Sequence, residues 1–155
     1  MEKIKFLKEL DKEHISGKKF LIRVDFNVPI DENGIVKDFT RIDAAIPTIR
    51  HVVDNAGRAI ICSHLGRPKG KVVKELTLRP VSDALTARIG KRVDFVNECI
   101  GEKVLMYVNK MEDGQILLLE NLRFHEEEES YDKNAKLEME NMIEQVQKNI
   151  TFAVE

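Results

Sequence analysis

A chain of 155 residues, 43% apolar and 34% charged, has the size and balance of one globular domain; two full domains do not fit. Its net charge of -2, with no Trp, two Tyr and seven Phe, gives no global attraction to nucleic acid and few surfaces for stacking bases. No apolar run nears the roughly 20 residues needed to cross a bilayer. The opening Met1-Glu2-Lys3-Ile4-Lys5-Phe6-Leu7 lacks the apolar segment and cleavage site of a secretory leader, so the cytoplasm is the expected location. Two isolated cysteines, Cys62 and Cys99, read as reduced core residues rather than a disulfide framework or a zinc site.

In chain order, residues 20–24 predict a first strand, ended by the segment from Asp25 to Pro29 and followed by the polar turn Asp31-Glu32-Asn33-Gly34. From Thr40 onward, Ile42, Ala45, Ile46, Ile49, Val52, Val53 and Ala56 recur at helical spacing, with Thr40 as the expected N-cap and Gly57 as the expected stop. Pro47 falls inside this pattern and should kink the helix or delay its regular part. Residues 59–63 predict a second strand, apolar throughout, as in a parallel sheet covered on both faces.

A second helix is expected from Leu78 to about Ile89, closed by Gly90, and then a short third strand at 93–96. Residues 101–109 predict a helix, with a strand as the competing pattern, and 115–119 predict a fourth strand. The run Glu126 to Glu129 reads as the solvated start of a long helix, with metal binding as the alternative. That helix would carry Met139, Met142, Ile143, Val146 and Ile150 on one stripe, before a fifth strand beginning at Ile150. Alternating strands and helices predict an α/β fold of three layers around a mainly parallel, Rossmann-like sheet.

Such sheets bind ligands beyond the carboxyl ends of their strands, where the distinctive polar segments of this chain fall. Asp25 and Asn27 follow the first strand, His64 and Arg67 the second, and Glu120, Asn121 and Arg123 the fourth; Arg41, early in the first long helix, can join them. Arginines pair with carboxylate or phosphate, histidine adds a donor, and Asp and Asn hold hydroxyl groups, so a small phosphorylated hydroxy acid suits the set. Singly, each has a blander reading: Asp25 and Asn27 as turn formers, His64 as strand-end packing, Arg41 as an exposed helix residue, Arg123 as a partner for Glu120 or Glu126. The loop 66–70 is not a Walker loop, no Gly-x-Gly-x-x-Gly occurs, Cys62 and His64 lack further ligands at metal spacing, and Ser63 beside His64 is not a nucleophile elbow.

Four segments together resemble phosphoglycerate kinase: Arg23-Val24-Asp25-Phe26-Asn27-Val28-Pro29, Thr40-Arg41-Ile42, Ser63-His64-Leu65-Gly66-Arg67-Pro68-Lys69-Gly70 and Leu119-Glu120-Asn121-Leu122-Arg123-Phe124-His125. They stand in the family's order at family-like spacing. The resemblance implies that residues 1–155 form a single, incomplete N-terminal domain that binds 3-phosphoglycerate. It implies that Asp25 and Asn27 contact the glycerate, that His64, Arg67 and Arg123 grip the phosphate that is not transferred, and that Arg41 is catalytic beside the transferred group. Mg-ATP or ADP would be bound by the family's C-terminal domain, with no cofactor or metal residue in this chain. The family interconverts 1,3-bisphosphoglycerate with ADP and 3-phosphoglycerate with ATP in glycolysis, typically as a monomer without nucleic-acid or membrane partners. Residues 150–155 depart from the family's Asn-Asp-Ala-Phe-Gly type motif. The expectation is therefore a chain inactive alone, the alternative being a non-catalytic anion-binding remnant of a truncated gene.

Overall fold

The computed structural model describes residues 6–125 and the backbone of Phe152–Val154. Five strands, β1 (Lys19–Arg23), β2 (Arg58–Cys62), β3 (Val93–Val96), β4 (Ile116–Leu119) and β5 (Phe152–Val154), form one sheet in the order β3-β4-β2-β1-β5. Every pairing is parallel. The described helices are α1 (Lys12–Ile15), α2 (Thr40–Val53), α3 (Arg79–Ile89) and α4 (Glu102–Asn109). The helix expected after residue 126 lies outside the described residues.

Alternation along the strands divides the core into two layers. Phe20, Ile22, Ala59, Ile61, Ile116 and Leu118 pack with Ile15 of α1, Ile49 of α2 and Leu85 of α3. Their sequence neighbours Ile60, Cys62, Leu117 and Leu119 pack with Val104 and Val108 of α4 on the opposite face. A strand buried on both faces must be apolar at consecutive positions, which is why β2 and β4 read as unbroken apolar runs. Each large side chain so buried contributes about 1.5–3 kcal/mol relative to exposure. Cys62 and Cys99 are buried in the α4 layer.

The limits of α2 differ from the expectation. Thr40 is its first helical residue; Phe39 occupies the cap position, and Asp38 Oδ1 accepts from the Thr40 amide at 2.8 Å. The carboxylate thus satisfies one of the open donors at the positive end of the helix. The helix continues through Pro47 because Ile42, Ile49, Val52 and Val53 bury a shared face on both sides of it. Arg88 of α3 reaches across to Asp43 with two hydrogen bonds and stacks over Phe39, its ring centroid 4.9 Å away. This guanidinium holds the Asp43 carboxyl below the usual carboxylate range.

At the end of α2 the left-handed residue is Ala56 (φ 63), while Gly57 serves a different purpose. A Cβ at Gly57 would lie 2.7 Å from Val52 Cγ1, 2.8 Å from Ile15 Cγ2 and 2.9 Å from the Val52 carbonyl oxygen. Glycine is needed here for close packing of α1 and α2 against the start of β2. Gly57→Ala should therefore cost about 1–3 kcal/mol, the usual range for overpacking. It would appear as a lower urea midpoint at constant slope, and an unchanged midpoint would show that the backbone yields. By contrast Gly90 does close α3 in the left-handed conformation, at φ 73.

The strand order positions the site. β2 lies between β1 and β4, so the loops leaving the carboxyl ends of these three strands emerge side by side. Helices α2 and α3, which follow β1 and β2, cover one face, whereas α4, which precedes β4, covers the other. The loops beyond the carboxyl ends of β1, β2 and β4 thus share one end of the sheet, the usual side for a ligand crevice.

Candidate functional site

The three loops meet at Gly66. Its amide donates to Asn27 Oδ1 at 3.0 Å, and its carbonyl accepts from Arg123 Nη1 at 3.1 Å. The loops after β1 and β4 are therefore fastened to the same residue of the loop after β2. Gly66 takes φ 62, and a Cβ there would stand 2.8 Å from Leu76 Cδ2, so both conformation and space favour glycine. Ser63 adds a second tie: its buried hydroxyl accepts from the Phe26 amide at 2.9 Å and donates to the His64 carbonyl at 3.1 Å. Its carbonyl also accepts from the Leu122 amide at 3.0 Å.

His64 and Arg67 flank this junction, the first half-buried and the second exposed. Beyond the buried Pro68, Lys69 holds a left-handed backbone (φ 57), uncommon for a residue with a Cβ and costly by about 1–3 kcal/mol. Gly70 then donates its amide to the Arg123 carbonyl at 3.2 Å. The loop is closed at both ends onto the segment after β4, and it presents Arg67, Lys69 and Lys71 as exposed cations.

Arg41, from the first turn of α2, reaches the loop after β1. Its Nη1 donates to the Asn27 carbonyl at 2.6 Å and lies 3.3 Å from Asp25 Oδ1. The two side chains are 50% and 58% exposed, so the ion pair is worth at most about 1 kcal/mol. That magnitude matters more for function than for stability, because an arriving anion can take the guanidinium at little cost. Asp25 Oδ1 also accepts from the Asn27 amide at 3.1 Å, the local turn bond expected of an Asp in this position. A cavity of about 550 Å³ adjoins this group, with Lys8, Arg23, Asp25, Arg41 and Thr48 among its lining residues and Ile22 on its apolar side.

Of the six residues singled out for the substrate, Asp25, Asn27, His64, Arg67 and Arg123 lie on three connected loops, and Arg41 reaches the first of them from α2. Glu120 and Asn121 behave differently from their neighbours. Glu120, 7% exposed, accepts from Thr77 Oγ1, the Leu78 amide and the Asn121 amide at 2.7, 2.9 and 2.8 Å. Arg123 is tied to Gly66 instead of pairing with Glu120. Sequence reasoning passed over Ser63 and Gly66 as fasteners and Arg23 as a cavity residue. The available signals were a hydroxyl ending an apolar strand, a glycine between two functional positions, and a charge at the last residue of β1.

The chemistry follows from this inventory. Guanidinium, ammonium and imidazole groups stand on or beside the same connected loops as one carboxylate and one carboxamide, a set that suits a small oxyanion bearing a hydroxyl group. It does not suit magnesium, which takes oxygen ligands. Among the described residues no group of three or more His, Cys, Asp or Glu is placed to hold a metal, and no helix is long and apolar enough to cross a membrane.

Comparisons with known proteins agree with this geometry. Residues 10–154 match the family described as phosphoglycerate kinase. A phosphoglycerate kinase of Prochlorococcus marinus (strain MIT 9515) is 48% identical over 128 residues, which is 83% of this chain and 32% of that protein. One from Penicillium chrysogenum is 51% identical over 79% of this chain and 30% of its own length. The crystal structure of phosphoglycerate kinase from Pyrococcus horikoshii OT3 superposes with a TM-score of 0.78 at 24% identity, over 90% of this chain and 34% of that one, and shows the fold. That from Coxiella burnetii gives a TM-score of 0.60 at 37% identity, over 72% and 27%. The chain spans about a third of the length of the curated relatives it matches. With its parallel sheet, its loop constellation and a family match over nearly its whole length, this chain belongs to the phosphoglycerate kinase family.

Proposed function

We propose that the chain supplies the 3-phosphoglycerate half of the phosphoglycerate kinase reaction, reversible phosphoryl transfer between 1,3-bisphosphoglycerate with ADP and 3-phosphoglycerate with MgATP. The observation that carries this reading is the shared fastening of Asn27 and Arg123 to Gly66, which brings the glycerate-type and phosphate-type residues to one junction. His64, Arg67 and Arg123 hold the phosphate that stays on the glycerate. Asn27 spends its side-chain oxygen on Gly66, so its NH2 group is what it offers to the ligand. Asp25 accepts from the glycerate hydroxyl.

Arg41 is the catalytic residue. In phosphoryl transfer the protein mostly positions the reactants and neutralises charge on the moving group, and a guanidinium freed from a weak surface pair supplies that charge where it develops. The nucleotide with its magnesium is the co-substrate, and no residue of this chain is assigned to it. Residues 1–155 then act as a single domain on the acceptor side of the reaction, a cytoplasmic role in glycolysis.

Calorimetric titration of 3-phosphoglycerate into the wild-type chain and Arg67→Ala tests the site. A hydrogen bond from a charged group is worth about 1.5–3 kcal/mol, so affinity should fall roughly 10- to 100-fold. Arg67 is exposed, and the substitution should leave the fold intact. Equal affinities would remove the loop after β2 from the site.

A further inference from the structure

We propose that Asn121 is a positioning residue of this site, setting the distance between the cations of the β2 loop and Arg123; the inference rests on the half-site reading above. Its side chain is fully buried and makes four hydrogen bonds. Oδ1 accepts from the Leu65 amide at 3.2 Å and the Arg123 amide at 3.0 Å; Nδ2 donates to the Leu65 carbonyl at 2.7 Å and the Leu76 carbonyl at 2.9 Å. Both acceptor sites of the carboxamide oxygen and both donors of its nitrogen are used. Nothing remains with which to touch a ligand, so Asn121 acts through what it holds.

What it holds is the centre of the phosphate grip. Leu65 is clasped at both its amide and its carbonyl, and its own side chain is buried in the core. Leu65 lies between His64 and Gly66, so fixing it fixes the points from which His64, Arg67, Asn27 and Arg123 are aimed. The same oxygen that receives Leu65 receives Arg123, which makes the separation of the two loops a property of one atom. Arg67, Lys69 and Lys71 on the β2 loop and Arg123 on the segment fastened to it are like charges, which favour opening of the junction. A buried carboxamide resists that opening without adding charge, so the grip is formed in advance and the ligand does not have to assemble it.

The test is a cycle of 3-phosphoglycerate titrations on the full chain with wild type, Asn121→Asp, Arg123→Ala and the double variant, each well below its melting temperature. Asn121→Asp preserves size and both acceptors but removes the donors facing Leu65 and Leu76. It should weaken binding at least 10-fold in folded protein, and the loss in the double variant should fall short of the sum of the two single losses. Asn121→Ser, with one donor on a shorter stem, enters the same cycle where Asp does not fold. Gly57→Ala, destabilised far from the loops, should bind like wild type, which separates positioning from general loss of stability. Wild-type affinity in folded Asn121 variants, or losses that add in full, would overturn the inference while leaving the half-site intact. Absence of binding by the wild-type chain would overturn the half-site reading and this role with it.

Discussion

In a coupled assay containing 3-phosphoglycerate and MgATP, the 155-residue chain alone is expected to show no turnover above the uncatalysed background. Kinases of this kind gain their rate by holding donor and acceptor phosphoryl groups in line and by neutralising charge between them. The proposed function gives the acceptor side to the loops after β1, β2 and β4 with Arg41, and it assigns the nucleotide to no residue of this chain. Losing the positioning of one reactant forfeits an effective molarity of about 10⁵ M or more, which takes a turnover of 1–100 s⁻¹ below about 10⁻³ s⁻¹. On the proposed assignment Arg41 then has no transferring group to neutralise, while 3-phosphoglycerate is still expected to bind. A rate near 1 s⁻¹ from pure chain, dependent on both substrates, would refute the half-site assignment.

Replacing Glu120 with alanine should produce the largest loss of stability among the site's neighbours, about 3–5 kcal/mol. The carboxylate is buried and accepts three hydrogen bonds, two from backbone amides and one from the Thr77 hydroxyl. One of those amides belongs to Leu78, fully buried at the cap of α3, and the other to Asn121. Each buried donor left without an acceptor costs about 1–3 kcal/mol. Against a total stability of about 5–15 kcal/mol, that is enough to unfold a large fraction of the chain. Glu120→Gln keeps a carbonyl oxygen for the two amides and should lose only about 1 kcal/mol. Urea midpoints for the two variants decide the matter; similar small losses in both would mean that the amides find other acceptors.

The contrast between Glu120 and Arg123 shows where sequence reading succeeds and where it stops. Polar residues immediately after an apolar strand mark the ligand end of a parallel sheet, and that rule assigns Asp25, Asn27, His64 and Arg123 to the loops after β1, β2 and β4, where the structure has them. It cannot distinguish a side chain that meets a ligand from one that meets backbone, because both are polar residues in a loop. Glu120 and Asn121 find their partners in residues 65, 76, 77 and 78, and no local pattern announces contacts so distant in sequence. Asp38 and Thr40 are both able to cap a helix, and the packing of Phe39 against the core decides between them. Gly57 resembled a helix stop because glycine commonly ends helices, but its reason is the nearness of Val52 and Ile15, a tertiary contact. The strands and α4 were legible because burial on two faces, or on one stripe, leaves its period in the chain. The order β3-β4-β2-β1-β5 was not, since apolar runs carry no label for their neighbours.

That order also bears on how the protein folds. The ligand loops acquire their relative positions only when β2 has paired with β1 on one side and β4 on the other, with Ile60 opposite Leu21 and Leu117. These partners are distant along the chain, and closing such loops carries an entropic cost that local helix formation does not. During refolding, helical signal should therefore rise before affinity for 3-phosphoglycerate does. Substrate binding would then act as a late checkpoint, recognising only molecules whose central strands are already in register.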